Sequence, residues 1–452
     1  MRTLLPAFFL ILVVAAGGAR AAGLPYVTPE MQNPDYWILH HTSPDRVVMT
    51  PQEIASFNRG LHAESLTDDL ASFPPLFSSE KLRVEVQRLA VGVSMQELFR
   101  RDGLKAVDEL YAAWTRNMAL DALGERVPVR YAFTTAFTDE RLFPTDEPLY
   151  EEPGDVHFDQ LQNSGIDPAT PVLVLHESQD GAWLFIKDGN SSGWVKRGNI
   201  AFSDKAMWLR RVTGRNTGVI ISARAPVYLD GNMAKPVAVA RMGSRFVIKR
   251  VTPDRVEVMY PLRHTDGTAR FVSAFILPRD IIRGFLPYTP RMVIIQAFKL
   301  LDAPYGWGDM DGAQDCSRFI QMVFATMGLD LPRNSGEQGR AGLSLAEFDS
   351  NAGMQERFTR ISGEGVGALT LLRLKGHIML YLGKDNGRLY AIHAIWAYRQ
   401  KGPEGDEATV LGKVVVSDLS LGEGSSKGSL LQRIAAVRLM KTENPVSGEA
   451  KR

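Results

Sequence analysis

Asp315-Cys316-Ser317-Arg318-Phe319-Ile320-Gln321-Met322-Val323-Phe324-Ala325-Thr326-Met327-Gly328 is the stretch on which the fold turns. Phe319, Ile320, Val323, Phe324 and Met327 recur at a three-to-four spacing, which predicts a buried helix over 317–327 with Gly328 as its C-cap. Cys316 then falls in the first turn of that helix, directly after Asp315. A helix N-terminus carries roughly half a positive charge, which favours a thiolate there. Cys316 is also the only cysteine of 452 residues, so it has no intramolecular disulfide partner. The count alone leaves a nucleophile and an inert apolar filler equally open, and the helix-start position favours the nucleophile.

A cysteine nucleophile needs a base, and the useful histidines lie downstream. Gly376-His377-Ile378-Met379-Leu380-Tyr381-Leu382-Gly383 and Arg388-Leu389-Tyr390-Ala391-Ile392-His393-Ala394 are two strand-like runs flanking Lys384-Asp385-Asn386-Gly387, which reads as a β-hairpin. Turn length decides whether the two histidines meet. A two-residue Asn386-Gly387 turn sets His393 opposite Leu380 and sends the imidazoles to opposite faces. A three-residue Asp385-Asn386-Gly387 loop sets His393 opposite Met379 and diagonal to His377, a separation of about 7 to 8 Å that two imidazoles can span. The three-residue loop is the expectation.

Upstream of the cysteine, Pro290 to Leu300 reads as a helix broken by Ala303-Pro304-Tyr305-Gly306-Trp307-Gly308. From about Val129 to Asp280 the chain consists of short β-rich runs between turn residues. Val172 to Leu175, Trp183 to Ile186 and Gly193 to Val195 form one cycle. Gly218 to Ile221, Ala225 to Leu229, Arg245 to Ile248 and Val256 to Tyr260 form a second, so two small β domains in tandem are expected. Residues 22–128 read mostly as helix, with capping-box spacing at Thr50-Pro51-Gln52-Glu53 and again at Ser94-Met95-Gln96-Glu97. Leu82, Val84, Val86, Leu89 and Val91 have an ambiguous period, whereas Leu104, Val107, Leu110, Tyr111 and Trp114 recur at helical spacing. No constellation of chemistry stands in this segment, which reads as a scaffold or clamp.

At the N-terminus, Met1-Arg2, the apolar run Leu4 to Ala16 and Ala19-Arg20-Ala21 have the order of a secretory signal peptide over 1–21. The apolar run is shorter than the roughly 20 residues of a membrane span, which disfavours an uncleaved anchor. The expected location is therefore exported, periplasmic or extracellular. Lys and Arg number 52 against 51 Asp and Glu, a balance that gives no sign of nucleic-acid binding. Asp309, Asp311 and Asp315 fail as a calcium loop because Ala313 and Ile320 occupy its fifth and twelfth positions.

Taken in order, Tyr305-Gly306-Trp307-Gly308, Asp315-Cys316-Ser317, Leu331-Pro332-Arg333-Asn334-Ser335 with Gln338, the Gly376-His377 strand ending in Tyr381-Leu382-Gly383, and Ile392-His393-Ala394 resemble the motifs of NlpC/p60 cysteine peptidases. The first β cycle similarly resembles bacterial Src-homology-3-like domains. The resemblance implies a multidomain α+β chain: a helical N-terminal region at 22–128, two Src-homology-3-like β-barrels at 129–205 and 206–284, a papain-like peptidase domain at 285–442 and a polar tail at 443–452.

It also implies hydrolysis of the γ-D-glutamyl to diamino-acid amide of peptidoglycan stem peptides without metal or organic cofactor. Cys316 is then the nucleophile, His377 the general base and His393 the residue that orients it. Tyr305, Asp315 and Ser317 match substrate-binding positions, the last two for the free amino end of L-alanyl-γ-D-glutamyl. Two departures stand out: Arg318 replaces a common glycine, and Ala368 to Leu372 replaces a glycine-aspartate-leucine strand. A non-catalytic wall-binding protein and an acyltransferase on the same fold are the alternative readings. The first β domain is expected to close one end of the cleft, with Tyr150 to Gln162 as the candidate stretch, restricting substrates to fragments.

Overall fold

The computed structural model describes residues 23–214 and 216–442. The signal-like segment 1–21 and the tail 443–452 lie outside the described residues. Among the described residues no helix is long and apolar enough to cross a membrane.

Thr50 starts the Pro51–Ala63 helix as its spacing predicts: its Oγ1 accepts from Glu53 N, and the Glu53 carboxylate accepts from Thr50 N at 2.7 Å. Ser94 does not start one. It is the last residue of the Ser79–Ser94 helix, and its Oγ donates to Val91 O. A capping box needs an extended residue at its head, and Ser94 is already held helical by the turn before it. Along that helix Leu82, Val86, Ala90 and Val93 form the buried face while Val84 and Val91 are exposed, which resolves the ambiguous period as helical. The next helix begins only at Asp108, so Leu104 and Val107 of the expected stripe precede it and are exposed, while Trp114 is buried.

The N-terminal helices serve two cores. Met31, Trp37, Phe57 and Leu61 join the core that holds Cys316 and Phe319, whereas Leu82, Val86 and Trp114 pack with Phe133, Leu173, Phe185 and Trp194. The second cluster covers one face of the first β region, and Val172, Val174, Leu184 and Ile186 form a core on its other face. A strand buried on both faces has no polar alternation, which is why 172–175 is a continuous apolar run.

Each β region is a seven-stranded antiparallel sheet. In the first the order is 200–203, 130–134, 171–177, 183–187, 192–196, 138–141 and 162–166. Among the described residues no ladder joins the edge strands of either sheet, so the expected barrel closure is not detected.

The C-terminal region is a six-stranded antiparallel sheet in the order 343–347, 434–439, 370–374, 377–385, 388–402 and 405–418. The Pro290–Phe298 and Cys316–Ala325 helices pack on the face carrying Ile378, Leu380 and Ile392. The Met354–Glu364 helix contributes Ile361 to the cluster on the opposite face, with Met379 and Leu372.

The hairpin corrects the expected loop. Asp385 pairs with Arg388, so Asn386 and Gly387 form a two-residue turn, with φ of 46° and 77° as a primed turn demands. A bulge between Tyr381 and Gly383 then shifts the register by one, and Leu380 pairs with Ile392. One step further His393 falls across from Met379, the expected relation. The bulge, rather than the turn, brings the histidines to one face.

Candidate active site

Asp315 caps the nucleophile helix: its Oδ1 accepts from Arg318 N at 2.8 Å, and Cys316 is the first helical residue. Cys316 is 6% exposed. The ladder between the 377–385 and 388–402 strands begins only at Leu380–Ile392. The Ile378 N–H is turned to the thiol, so Cys316 sits beside the start of the histidine strand, which is paired there only to the 370–374 strand.

His377 Nε2 and His393 Nδ1 share a hydrogen bond of 2.7 Å, and His393 Nε2 is 2.9 Å from Ser417 Oγ. Ser417 and His393 are fully buried and His377 is half-buried. His377 Nδ1 makes no hydrogen bond among the described residues. The tautomer that leaves Nδ1 basic has His377 Nε2–H donating to His393, whose Nε2–H donates to Ser417. Ser417 ends the run Val414-Val415-Val416, and its only sequence signal is a hydroxyl at the end of an apolar strand.

Burial first, then the Asp315 carboxylate, push the Cys316 thiol up to about 12, against the Ile378 N–H, Arg333 and the Ser317 N–H. Burial and then the Arg433 charge push His377 down to about 4, with Asp315 opposing. His393 is lowered well below the ordinary range by burial and by His377. Burial therefore works against the helix-end stabilisation of a thiolate at Cys316 and against a charged imidazole at His377.

The nucleophile side is ionic. Arg333, 2% exposed, donates from Nη2 to Asp315 Oδ2 at 2.7 Å, from Nη1 to Asp315 Oδ1 at 3.2 Å and to Ser317 Oγ at 2.9 Å, and from Nε to Ser164 Oγ at 2.8 Å. Ser317 Oγ in turn donates to Asp315 Oδ1 at 3.0 Å. Asp315 and Ser317 are thus brought together, with one lone pair of Asp315 Oδ2 left for a ligand.

Asp309, fully buried, accepts from Arg318 Nε at 2.7 Å and from Gly165 N at 3.1 Å, and pairs with Arg333 at 3.3 Å and Arg241 at 3.5 Å. Burial would raise its carboxyl, but Arg318, Arg333 and Arg241 prevail and hold it at about 2. Arg318 also donates to Gly165 O, and Arg241 to Gly165 O and Ala313 O. The residue that departs from the common glycine therefore ties the first β region to the nucleophile helix. A side chain on Gly165 would strike Phe137 at 2.4 Å and Asp309 at 2.8 Å, so glycine is required at this crossing.

The Tyr150 to Gln162 stretch does reach the site. Phe158 lies 5.4 Å from Trp307, 5.4 Å from Trp396 and 6.4 Å from Tyr305, centroid to centroid. Trp307 Nε1 donates to Asp159 O, and Gln162 Nε2 to Gly308 O at 3.0 Å. Tyr305 is half-buried, and its hydroxyl is raised above its usual range by burial and then by Cys316 and Asp315. Arg333 stands in a motif that by itself gives it no role, Asp309 has a sequence pattern only as a failed calcium loop, Phe158 is marked only by its place in the 150–162 stretch, and Trp396 carries no sequence signal.

Residues 302–395 match the NlpC/P60 family and 148–196 match the SH3 domain of SH3b1 type. Residues 302–395 thus carry an NlpC/P60-like fold, with an SH3-like domain upstream at 148–196. It is 36% identical over 84 residues to a gamma-D-glutamyl-L-lysine dipeptidyl-peptidase of Bacillus subtilis (strain 168), covering 18% of this chain and 26% of that one. It is 30% identical over 129 residues to the bifunctional muramidase/DL-endopeptidase CwlT of the same organism, covering 28% and 36%. The matches therefore span about a quarter and about a third of these relatives. A solved NlpC/P60 endopeptidase from Photobacterium damselae subsp. piscicida superposes with a TM-score of 0.74 at 17% identity, covering 92% of this chain and 98% of that chain. This last likeness extends the shared fold over nearly all of both chains.

Proposed function

We propose that this protein is an exported cysteine peptidase that cleaves the γ-D-glutamyl to diamino-acid amide of peptidoglycan stem peptides, acting on fragments with a free N-terminal L-alanine. The observation that carries this is the sole cysteine at a helix start, its thiol reached by the N–H of Ile378, the residue after His377, whose Nε2 is joined to His393 Nδ1 at 2.7 Å. Cys316 gives its proton to His377 Nδ1 as sulfur bonds to the glutamyl carbonyl carbon. The Cys316 backbone N–H and the Tyr305 hydroxyl are the donors for the oxyanion. His377 then protonates the amide nitrogen, the C–N bond breaks, and the diamino acid leaves. A water deprotonated by His377 hydrolyses the thioester and restores the thiol.

On the acyl side, Asp315 and Ser317, set by Arg333, face the amino end of the substrate. Phe158 with Trp307 and Trp396 closes that end against glycan-linked chains. Incubation of the protein with L-alanyl-γ-D-glutamyl-diaminopimelate should release diaminopimelate, and Cys316→Ala should lose this by about 10⁴-fold or more. Unchanged turnover by that variant would defeat the mechanism, and efficient lysis of intact walls would defeat the restriction to fragments. N-terminal sequencing of the mature protein tests export; a chain still starting at Met1 speaks against it.

A further inference from the structure

Beside the histidine pair stands one arginine without a counterpart. Arg433 ends the Leu430–Arg433 helix and leads directly into the 434–439 strand. Ile434 pairs with Leu374, and Leu374 with His377, so the backbone at 433–434 lies level with His377, two strands away and roughly 10 Å off. The Arg433 side chain is half-buried, and its charge reaches the His377 ring, where it opposes protonation; Asp315 is the one charge that favours it. Lys375, on the turn between these strands, is exposed and has no such effect.

The arginines on the nucleophile side are matched: Arg241, Arg318 and Arg333 all meet Asp309. Arg433 has no hydrogen bond and no carboxylate in salt-bridge range among the described residues, and burial lowers its guanidinium with no acceptor opposing the shift. A guanidinium keeps its charge at any working pH, and its planar fork suits a carboxylate. Arg433 also lies outside residues 302–395, which match the family, so a contact made by it belongs to this chain's own C-terminal strand.

The inference rests on the γ-D-glutamyl cleavage proposed above. In that reaction His377 protonates the departing nitrogen of the diamino acid, and the carbon of the diamino acid's α-carboxylate is two bonds from that nitrogen. We propose that Arg433 binds this α-carboxylate and so makes the enzyme prefer stem peptides that end at the diamino acid over those that continue. A further residue converts the carboxylate into a neutral amide and leaves the guanidinium unmatched. Hydrolysis of the carboxypeptidase class, which removes whatever follows the diamino acid, must then supply the preferred substrate.

The test measures kcat/KM of the full chain on L-alanyl-γ-D-glutamyl-diaminopimelate and on the same peptide with the α-carboxyl beside the scissile nitrogen amidated. The wild type should favour the free acid by about 5- to 30-fold, chiefly through KM. Arg433→Gln should erase this preference, and Arg433→Lys, which keeps the charge, should restore part of it. Any effect of Arg433 through the His377 ring acts on both peptides alike and cancels in the ratio. Lys375→Gln should keep the wild-type ratio, and loss of the preference in that variant instead of Arg433→Gln would overturn the assignment. A third peptide, with L-lysine for diaminopimelate, keeps the α-carboxylate and lacks the distal one; disappearance of the Arg433 dependence there would move the contact to the distal carboxylate and likewise overturn it. Equal ratios in wild type and Arg433→Gln, with both peptides cleaved, overturn the proposal alone. Cleavage of neither peptide by the wild type overturns the γ-D-glutamyl reading and the proposal with it.

Discussion

The two walls of the cleft bury polar groups in opposite ways. On the nucleophile wall Asp309, Asp315, Arg241, Arg318 and Arg333 are formally charged, nearly excluded from water and paired with one another. On the base wall His377, His393 and Ser417 are neutral and joined in a line. A buried guanidinium cannot shed its charge and must be matched, so these ions lock chain segments together. A buried imidazole simply gives up its proton, and its nitrogens remain free to carry one. Charge on one wall holds the regions in place, while neutrality on the other keeps a proton movable.

The sharpest way to break the base wall is His377→Gln, which keeps a hydrogen-bonding side chain and removes the base; turnover of the stem tripeptide should fall by about 10⁴-fold with the fold intact by circular dichroism. The nucleophile wall breaks at Asp309→Asn, which strips Arg318 of its principal partner and leaves it buried. Denaturant unfolding should register a loss of roughly 3 to 5 kcal/mol, whereas a variant as stable as wild type would show that the ions do not hold the regions together. Further along the neutral line, His393→Ala should lower kcat by about 10- to 100-fold with little change in KM, and Ser417→Ala by less, because each only fixes the tautomer of the next ring.

The smallest effect is in pH. His377 at about 4 lies below its ordinary 6.5, so its neutral form stabilises the fold fully above about 6.5, and that contribution is lost as pH falls toward 4. The acid limb of kcat/KM should therefore lie well below 6.5. Arg433→Gln removes a charge that depresses His377 and should move the limb upward. A limb unmoved by that change would separate Arg433 from the base.

Much of the base wall was legible because its information is local. Apolar spacing located the helix, Asp315 caps its start while its C-cap is Thr326 and not the expected Gly328, and strand runs flanking a turn placed the histidines on adjacent strands. Their shared face was expected from a three-residue loop and is produced instead by the bulge after Tyr381, which no turn residue marks. The false start at Ser94 has the same origin: a four-residue capping pattern carries no record of the helix arriving from upstream. The nucleophile wall was largely illegible. Asp309, Gly165, Arg241 and Arg333 have no common period, and Arg318 reads as a departure until Asp309 and Gly165 are seen against it.

By itself, then, the sequence determined the elements and the chemistry-bearing residues, because hydrophobic period, caps and turns act over a few residues. Tertiary structure alone decided which distant carboxylate meets which arginine, which face of the first β region the N-terminal helices cover, and that burial raises the Cys316 thiol. Ion pairing and desolvation depend on proximity in space, and segments remote along the chain acquire that only when the cores have packed.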